Sequence, residues 1–257
     1  LAVCRRAAAG ADYVFHEAAQ ISVPKSIEDP FLNDSVNVGG TLNILWAAKE
    51  GGAKKLVLAS STAVYGDNPE LPKRETMTGV PLSPYALSKW IGERYCQSFG
   101  RIYGFAAVAL RYFNVFGPRQ DPRSQYAAAV PIFIARMLAG EQPVIYGDGE
   151  QTRDFVYVED VVQANILAAE APGRGGGEIY NVASSGSLTV NALAKIISEI
   201  VGRPLAPVYA PERPGDIRHS AADIGKIAAE LGYRPRFDFR SGLERTIAWY
   251  REQRSTP

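Results

Sequence analysis

Tyr85 and Lys89, in the stretch SPYALSKW (83–90), stand four positions apart. On a helix such residues share a face, so an ammonium can lie beside a phenol. A free phenol titrates near 10 and is a poor base at neutral pH. A neighbouring cation favours the phenolate and makes it a usable general base. Taken alone, the pair is also the ordinary pattern of an amphipathic helix. Two further groups change its weight: Ser60, Ser61 and Thr62 follow the apolar run KKLVLA, and Asn114 follows LRYF. Those hydroxyls could equally end a strand or cap a helix. Hydroxyls, a tunable phenol and an amide at the ends of consecutive strands suit the interconversion of an alcohol and a ketone.

The elements that must carry these groups are legible as period and punctuation. DYVFHEAA (12–19) and KKLVLASS (54–61) read as buried parallel strands, and FAAVALRYFNVFG (105–117) as a third. Between them, SVNVGGTLNILWAAKEGG (35–52) reads as a helix closed by Gly51 and Gly52. The stretch from Ser83 to about Tyr103 reads as a second helix, with Pro84 at its first turn and Gly104 as its stop. Alternating strands and helices predict a doubly wound α/β sheet. After Pro118 come helical QYAAAVPIFIARMLAGEQ, the turn-rich VIYGDGEQTRDFVYVEDV, further helices and the strand EIYNVA. This half predicts a smaller α/β substrate-binding lobe over the carboxyl edge of the first sheet, where open α/β sheets take ligands. The expected division is 1–117 and 118–257, with segments near 155–183 returning to the first part.

Composition removes other classes of function. The 257 residues carry a net charge of +1, which gives no field for nucleic acid or an anionic membrane. Two cysteines cannot form a disulfide framework at this size, and two histidines give no metal cluster. A reducing, cytoplasmic setting follows as the default, with no apolar run near the roughly 20 residues of a membrane span.

Eight stretches in order then carry a resemblance: VFHEAAQISVPKSIEDP, NVGGTLNIL, ASSTAVYGD, PLSPYALSK, LRYFNVFGPRQDP, GDGEQTRDFVYVEDVV, YNVASSGSLTV and RPGDIRHSAAD. Together they cover essentially the whole chain. The sequence resembles the extended short-chain dehydrogenase/reductase family, and within it the nucleotide-sugar 4-epimerases acting on UDP-glucose and UDP-N-acetylglucosamine. The resemblance implies a Rossmann-like sheet, NAD as cofactor and a UDP-sugar as substrate. It makes Tyr85 the base, Lys89 its electrostatic partner and ribose contact, and Ser61 the hydroxyl that relays the proton. Cofactor contacts fall on Ala18, Ala19, Asn37, Ser60, Tyr85 and Lys89.

For the substrate, the resemblance implies contacts from Ser61, Thr62 and Asn114. Arg153 and Arg213 match positions that grip the diphosphate, and Asp216 matches a carboxylate for the uridine ribose. Tyr146 is placed against the uracil and Gln120 near the sugar. Ser220 matches a gate at which a tyrosine restricts the pocket to unsubstituted hexoses, so its small side chain leaves room for a 2-acetamido group. Against this, Ile21 stands where N-acetylhexosamine enzymes often have a small residue. The family also implies a homodimer through helices near 36–51 and 83–103.

The family's G-x-x-G-x-x-G turn, which brings backbone to the cofactor pyrophosphate, is not found between Leu1 and Pro257. GRGGGE (173–178) reads as a surface loop instead. The chain begins without Met, in a helix-like stretch. The reading is therefore of an N-terminally truncated member that lacks its first strands and would bind NAD weakly alone. Two enzymatic rivals remain. A 4,6-dehydratase needs an Asp-Glu pair after its active-site hydroxyl, where this chain has Ala63 and Val64. A UDP-glucuronate decarboxylase shares most of the motifs. A non-catalytic nucleotide-sugar-binding protein is the rival of another class.

Overall fold

A computed structural model describes residues 1–122, 128–173, 175–212 and 217–255. In chain order the first elements are α1 (Ala2–Ala8), β1 (Tyr13–His16), α2 (Val23–Glu28), α3 (Pro30–Asn33) and α4 (Gly40–Glu50), the last entered through a π-helical turn at Asp34–Gly39. Next come β2 (Lys55–Ser61), a 3-10 turn (Thr62–Tyr65), α5 (Pro84–Tyr103), β3 (Ala107–Tyr112) and β4 (Asn114–Phe116). They are followed by α6 (Ala129–Ala139), β5 (Val144–Tyr146), β6 (Thr152–Arg153), β7 (Phe155–Tyr157), α7 (Val158–Glu170) and β8 (Gly176–Val182). The chain ends with β9 (Leu188–Thr189), α8 (Val190–Val201), β10 (Val208–Ala210), α9 (Gly225–Leu231) and α10 (Phe239–Ser255). Among the described residues no helix is long and apolar enough to cross a membrane.

These elements divide into two compact units. The first comprises Leu1–Phe113, Val162–Val182 and Asp223–Tyr233; the second comprises Asn114–Val161, Ala183–Ala222 and Arg234–Pro257. The boundary thus falls before Asn114 rather than at residue 117. The run 105–117, expected as a strand running into a loop, holds two strands, because β3 pairs with β2 and β8 while β4 pairs with β7. The segment Asp223–Tyr233, expected as a helix of the second part, belongs to the first unit.

In the first unit a parallel sheet runs β1-β2-β3-β8. The middle strands KLVLASS and AVALRY are buried along nearly their whole length, as strands covered on both faces must be. β1 is the outer strand, with Tyr13 and Phe15 exposed. Leu45 and Ala48 of α4 and Cys96 and Phe99 of α5 pack with Leu56, Leu58, Ala107, Ala109 and Ile179 of the sheet. The start of α5 is fixed locally: the Ser83 hydroxyl accepts from the Ala86 amide at 3.1 Å and Pro84 takes the first turn. Its end is Gly104, left-handed at φ 62, whose amide returns to the Gly100 carbonyl. Gly92 lets the helix approach the sheet, since a Cβ there would lie 3.0 Å from Leu58 Cδ2.

The second unit pairs β4 with β7 and β5 with β10 in parallel, and β6 with β9 antiparallel. Helices α6, α8 and α10 cover these strands around Phe116, Phe133, Ile134, Met137, Leu193, Ile197, Leu243 and Ile247.

Candidate active site

The first unit gathers its chemistry at the carboxyl end of β2. Ser61 is the last residue of that strand, and its hydroxyl accepts from the Ala63 amide at 3.1 Å, capping the Thr62–Tyr65 turn. Ser61 is therefore a cap as well as a candidate catalytic hydroxyl. Tyr85 lies in the first turn of α5, its amide donating to the Ser26 hydroxyl at 3.1 Å. Lys89 follows one turn later, buried, and its ammonium donates to the Ala59 carbonyl at 2.8 Å. It stands 5.9 Å from the centre of the Tyr85 ring.

Burial dominates the electrostatics here. It pushes the Tyr85 phenol above its usual value, and the Ser61 side chain draws it partly back. The help expected from Lys89 is not among the influences on the phenol. Burial lowers Lys89 itself to about 8, with the Glu17 carboxylate acting in the opposite sense. His16, whose Nε2 lies 3.1 Å from Thr41 Oγ1, is pushed down to about 4 by burial and then by Lys89.

Two residues expected to touch cofactor have other work. The Asn37 side chain accepts from the Gln20 amide at 2.8 Å and donates to the Gln20 carbonyl at 3.0 Å, to Asn33 Oδ1 at 2.9 Å and to Ser88 Oγ at 3.1 Å. It is spent on holding the loop that carries Ala18 and Ala19. The Ser60 hydroxyl donates to Glu93 Oε1 at 2.6 Å, leaving only its backbone to meet a ligand. Strand alternation is the reason, because neighbouring serines on β2 leave on opposite faces. Ala18 is exposed and Ala19 half-buried in the loop after β1, and Thr62 is half-buried in its 3-10 turn.

In the second unit Asn114, Tyr146 and Arg153 line one cavity of about 500 Å³. The Asn114 amide donates to the Asp154 carbonyl at 3.1 Å, which seats it on the β4–β7 ladder. Arg153 Nη1 donates to the Thr152 carbonyl at 2.8 Å. Buried Asp154, beside it, accepts from the Ser184 amide and hydroxyl at 3.0 and 2.9 Å and so fixes the strand that presents Arg153. Arg136 and Gln151 line the same cavity, and neither was singled out from the sequence. Gln151 is buried and gives its Nε2 to the Tyr146 carbonyl at 2.8 Å; its place in GDGEQTRDF beside Arg153 was the available signal.

Gln120 and Ser220 do not join that lining. Gln120 donates to the Val115 carbonyl at 3.3 Å, and its own carbonyl accepts from the Tyr250 hydroxyl. The Ser220 amide donates to the Thr152 carbonyl at 3.1 Å, beside Arg153 in sequence. Arg213 and Asp216 lie outside the described residues.

Comparison with known proteins accords with this geometry. A profile of the NAD dependent epimerase/dehydratase family matches residues 2–183. The UDP-glucose 4-epimerase of Mycolicibacterium smegmatis is 38% identical over 243 residues, covering 94% of this chain and 77% of that protein. Among solved structures, the UDP-N-acetylglucosamine 4-epimerase of Methanobrevibacter ruminantium, in complex with UDP-N-acetylmuramic acid, is 45% identical. It has a TM-score of 0.93 and covers 97% of this chain and 80% of its own. The UDP-glucose 4-epimerase of Thermotoga maritima, solved with UDP-glucose, is 40% identical with a TM-score of 0.93 and coverage of 99% and 82%.

Proposed function

The chain belongs to the NAD dependent epimerase/dehydratase family, and from that premise we propose that it inverts C4 of a UDP-hexose with NAD. The observation that carries this reading is the grouping of Ser61, Tyr85 and Lys89 at the end of β2. The residues present fit the nicotinamide-ribose end of the cofactor. Buried Lys89 has two N–H groups beyond the one given to Ala59, suited to ribose hydroxyls. The small side chains of Ala18 and Ala19 leave the backbone after β1 open to a flat ligand. Bound NAD supplies the hydride acceptor, its return and a positive charge.

The protein's own groups handle the proton and the orientation. Tyr85 takes the proton of the 4-hydroxyl and gives it back after the 4-keto sugar has turned over. Ser61 hydrogen-bonds the sugar oxygen during both transfers. Asn114, Tyr146 and Arg153 receive the nucleoside diphosphate, Arg153 supplying charge-assisted bonds to phosphate. The described residues of the second unit support a substrate that carries both a planar group and an anionic one.

Ser220 and the close likeness to a UDP-N-acetylglucosamine 4-epimerase favour a 2-acetamido sugar, with UDP-glucose as a second substrate. Product analysis decides this. The protein, NAD and each of UDP-glucose, UDP-N-acetylglucosamine and their C4 epimers are incubated, and interconversion within each pair is expected. Carbon dioxide released from UDP-glucuronate would mean a decarboxylase instead.

A second copy of the chain is the partner proposed for the exposed apolar residues Leu42 of α4 and Leu87, Ile102 and Tyr103 of α5. One patch repeated about a two-fold axis can cover itself. Light scattering should return twice the chain mass; a monomer at micromolar concentration refutes the interface.

A further inference from the structure

Glu93 and Arg111 form the most deeply buried ion pair among the described residues, at 0% and 1% exposure. Arg111 Nε meets Glu93 Oε1 at 2.8 Å and Nη2 meets Oε2 at 2.8 Å, a two-pronged arrangement. A buried pair of this kind is poor evidence for stability, because apolar residues of the same volume often serve as well or better. Its place in the fold suggests another use.

Ser60 and Arg111 are register partners on β2 and β3, so both side chains leave the sheet on one face. Glu93 of α5 receives both: the Ser60 hydroxyl at 2.6 Å and the guanidinium. Lys89, one turn earlier on the same helix face, is tied to β2 through the Ala59 carbonyl. Two anchors one turn apart on α5 fix both its rotation and its height against β2, and Gly92 between them lets the backbone come close. Tyr85 lies one further turn along that face. The guanidinium of Arg111 also lies over the Tyr65 ring, at 4.6 Å. Tyr65 closes the turn that Ser61 caps, and its hydroxyl is fixed on Asn181 Oδ1 at 2.6 Å. One guanidinium thus touches the turn that carries Ser61 and the carboxylate of the helix that carries Tyr85.

We infer that the Glu93–Arg111 pair is a positioning device for the reaction, fixing the helix of Tyr85 and Lys89 against the turn of Ser61. The inference rests on the proposed epimerase reading for what is positioned. Neither residue touches the reacting atoms; each acts through Tyr85 and Ser61. The pair is retained for placement rather than for stability.

Removing Glu93 alone would strand a buried charge and unfold the protein. The test is therefore the apolar double variant Glu93→Leu with Arg111→Met, beside Arg111→Lys, which keeps the charge but loses the planar fork. Melting temperature, kcat and KM for the UDP-hexose, and the midpoint of Tyr85 phenolate formation are measured. The midpoint comes from ultraviolet titration against the matching Tyr85→Phe protein. The double variant should melt within a few degrees of the parent. Its kcat should fall about tenfold to a hundredfold, with KM within about threefold. The phenolate midpoint should rise as Ser61 loses its hold on the phenol. Arg111→Lys should fall between the two, and it carries the test if the double variant does not fold. Parent kcat and parent midpoint in either folded variant overturns the inference. A parent protein that interconverts no UDP-hexose removes the functional reading instead. The phenolate midpoints, which need no turnover, then decide the positioning role alone.

Discussion

The ammonium of Lys89 stands 5.9 Å from the centre of the Tyr85 ring while its hydrogen bond goes to the Ala59 carbonyl. The lysine is thus held by the sheet beside the ring. Burial raises the phenol, so Tyr85 is kept from its phenolate at neutral pH, while the ammonium, lowered to about 8, is still mostly charged there. Positive charge brought in beside them tips the phenol toward phenolate. On the proposed reading, catalysis would be coupled to arrival of a cationic ring.

Tyr85→Phe removes the proposed proton acceptor and little else, since the ring's packing is kept. Turnover should drop by about 10²–10⁴, the usual worth of general acid–base catalysis. UDP binding measured by calorimetry should be close to that of the parent. Retained epimerisation would take the role of base from Tyr85.

Lys89 should titrate with a midpoint of about 8 in the cofactor-free protein. The sign for stability follows. Between about 8 and the ordinary lysine value of about 10.5 the folded state binds fewer protons than the unfolded one, so stability rises with pH across that window. Glu17→Gln removes the charge that favours the ammonium and should move the midpoint further down. Trace acetylation of Lys89, followed by mass spectrometry against pH, reads it directly. An unmoved midpoint would separate Glu17 from the site.

How much of this was legible in the sequence varies with the physics behind each residue. Caps, helix period and apolar strands are local, so α5 and β2 fall close to where their residues put them. The break between β3 and β4 was not legible, because FAAVALRYFNVFG is apolar apart from Arg111 and Asn114 and only pairing partners separate its two halves. The grouping of Tyr85, Lys89 and Ser61 could be read because helix spacing and a strand end bring them together. The internal hydrogen bonds of Asn37 and Ser60 could not be read, since a buried amide or hydroxyl looks the same in sequence whether it meets a ligand or a neighbouring loop. The Glu93–Arg111 pair was missed because no short motif joins a helix residue to a strand residue. Gln151 was missed although it stands beside Arg153 in GDGEQTRDF, since only the fold makes it part of the cavity lining.

Asn37→Ala tests the reading of that residue as a holder of the loop after β1. It removes one acceptor and one donor group from a buried cluster and leaves the Gln20 amide without its partner. Urea unfolding should show a loss of about 1–3 kcal/mol. Asn37→Asp, with the same shape but no donor, should be destabilised too. If Asn37→Ala unfolds like the parent while NAD affinity alone falls, Asn37 is a ligand contact after all.

Ser220→Tyr tests the choice of sugar. A ring at this position should exclude a 2-acetamido group and spare an unsubstituted hexose. Turnover of UDP-N-acetylglucosamine should fall at least about tenfold relative to UDP-glucose, an energy difference of about 1.4 kcal/mol in the transition state. An unchanged ratio of kcat/KM values would show that Ser220 does not gate the pocket.

His16 gives the protein a definite acid sensitivity. Its imidazole is half-buried against Thr41 and pushed down to about 4, first by burial and then by the Lys89 charge. In the unfolded chain it titrates near 6.5. Between those values the unfolded state binds the extra proton and the folded state does not, so stability is lost as pH falls through this window. The full effect of the shift is about 3 kcal/mol. Carboxylates titrate in the same range, so the informative quantity is a difference. Stability of the parent minus that of His16→Gln, from urea curves at pH 7 and pH 4.5, should narrow on acidification. A constant difference would mean that the imidazole takes its proton in the folded state as readily as in water.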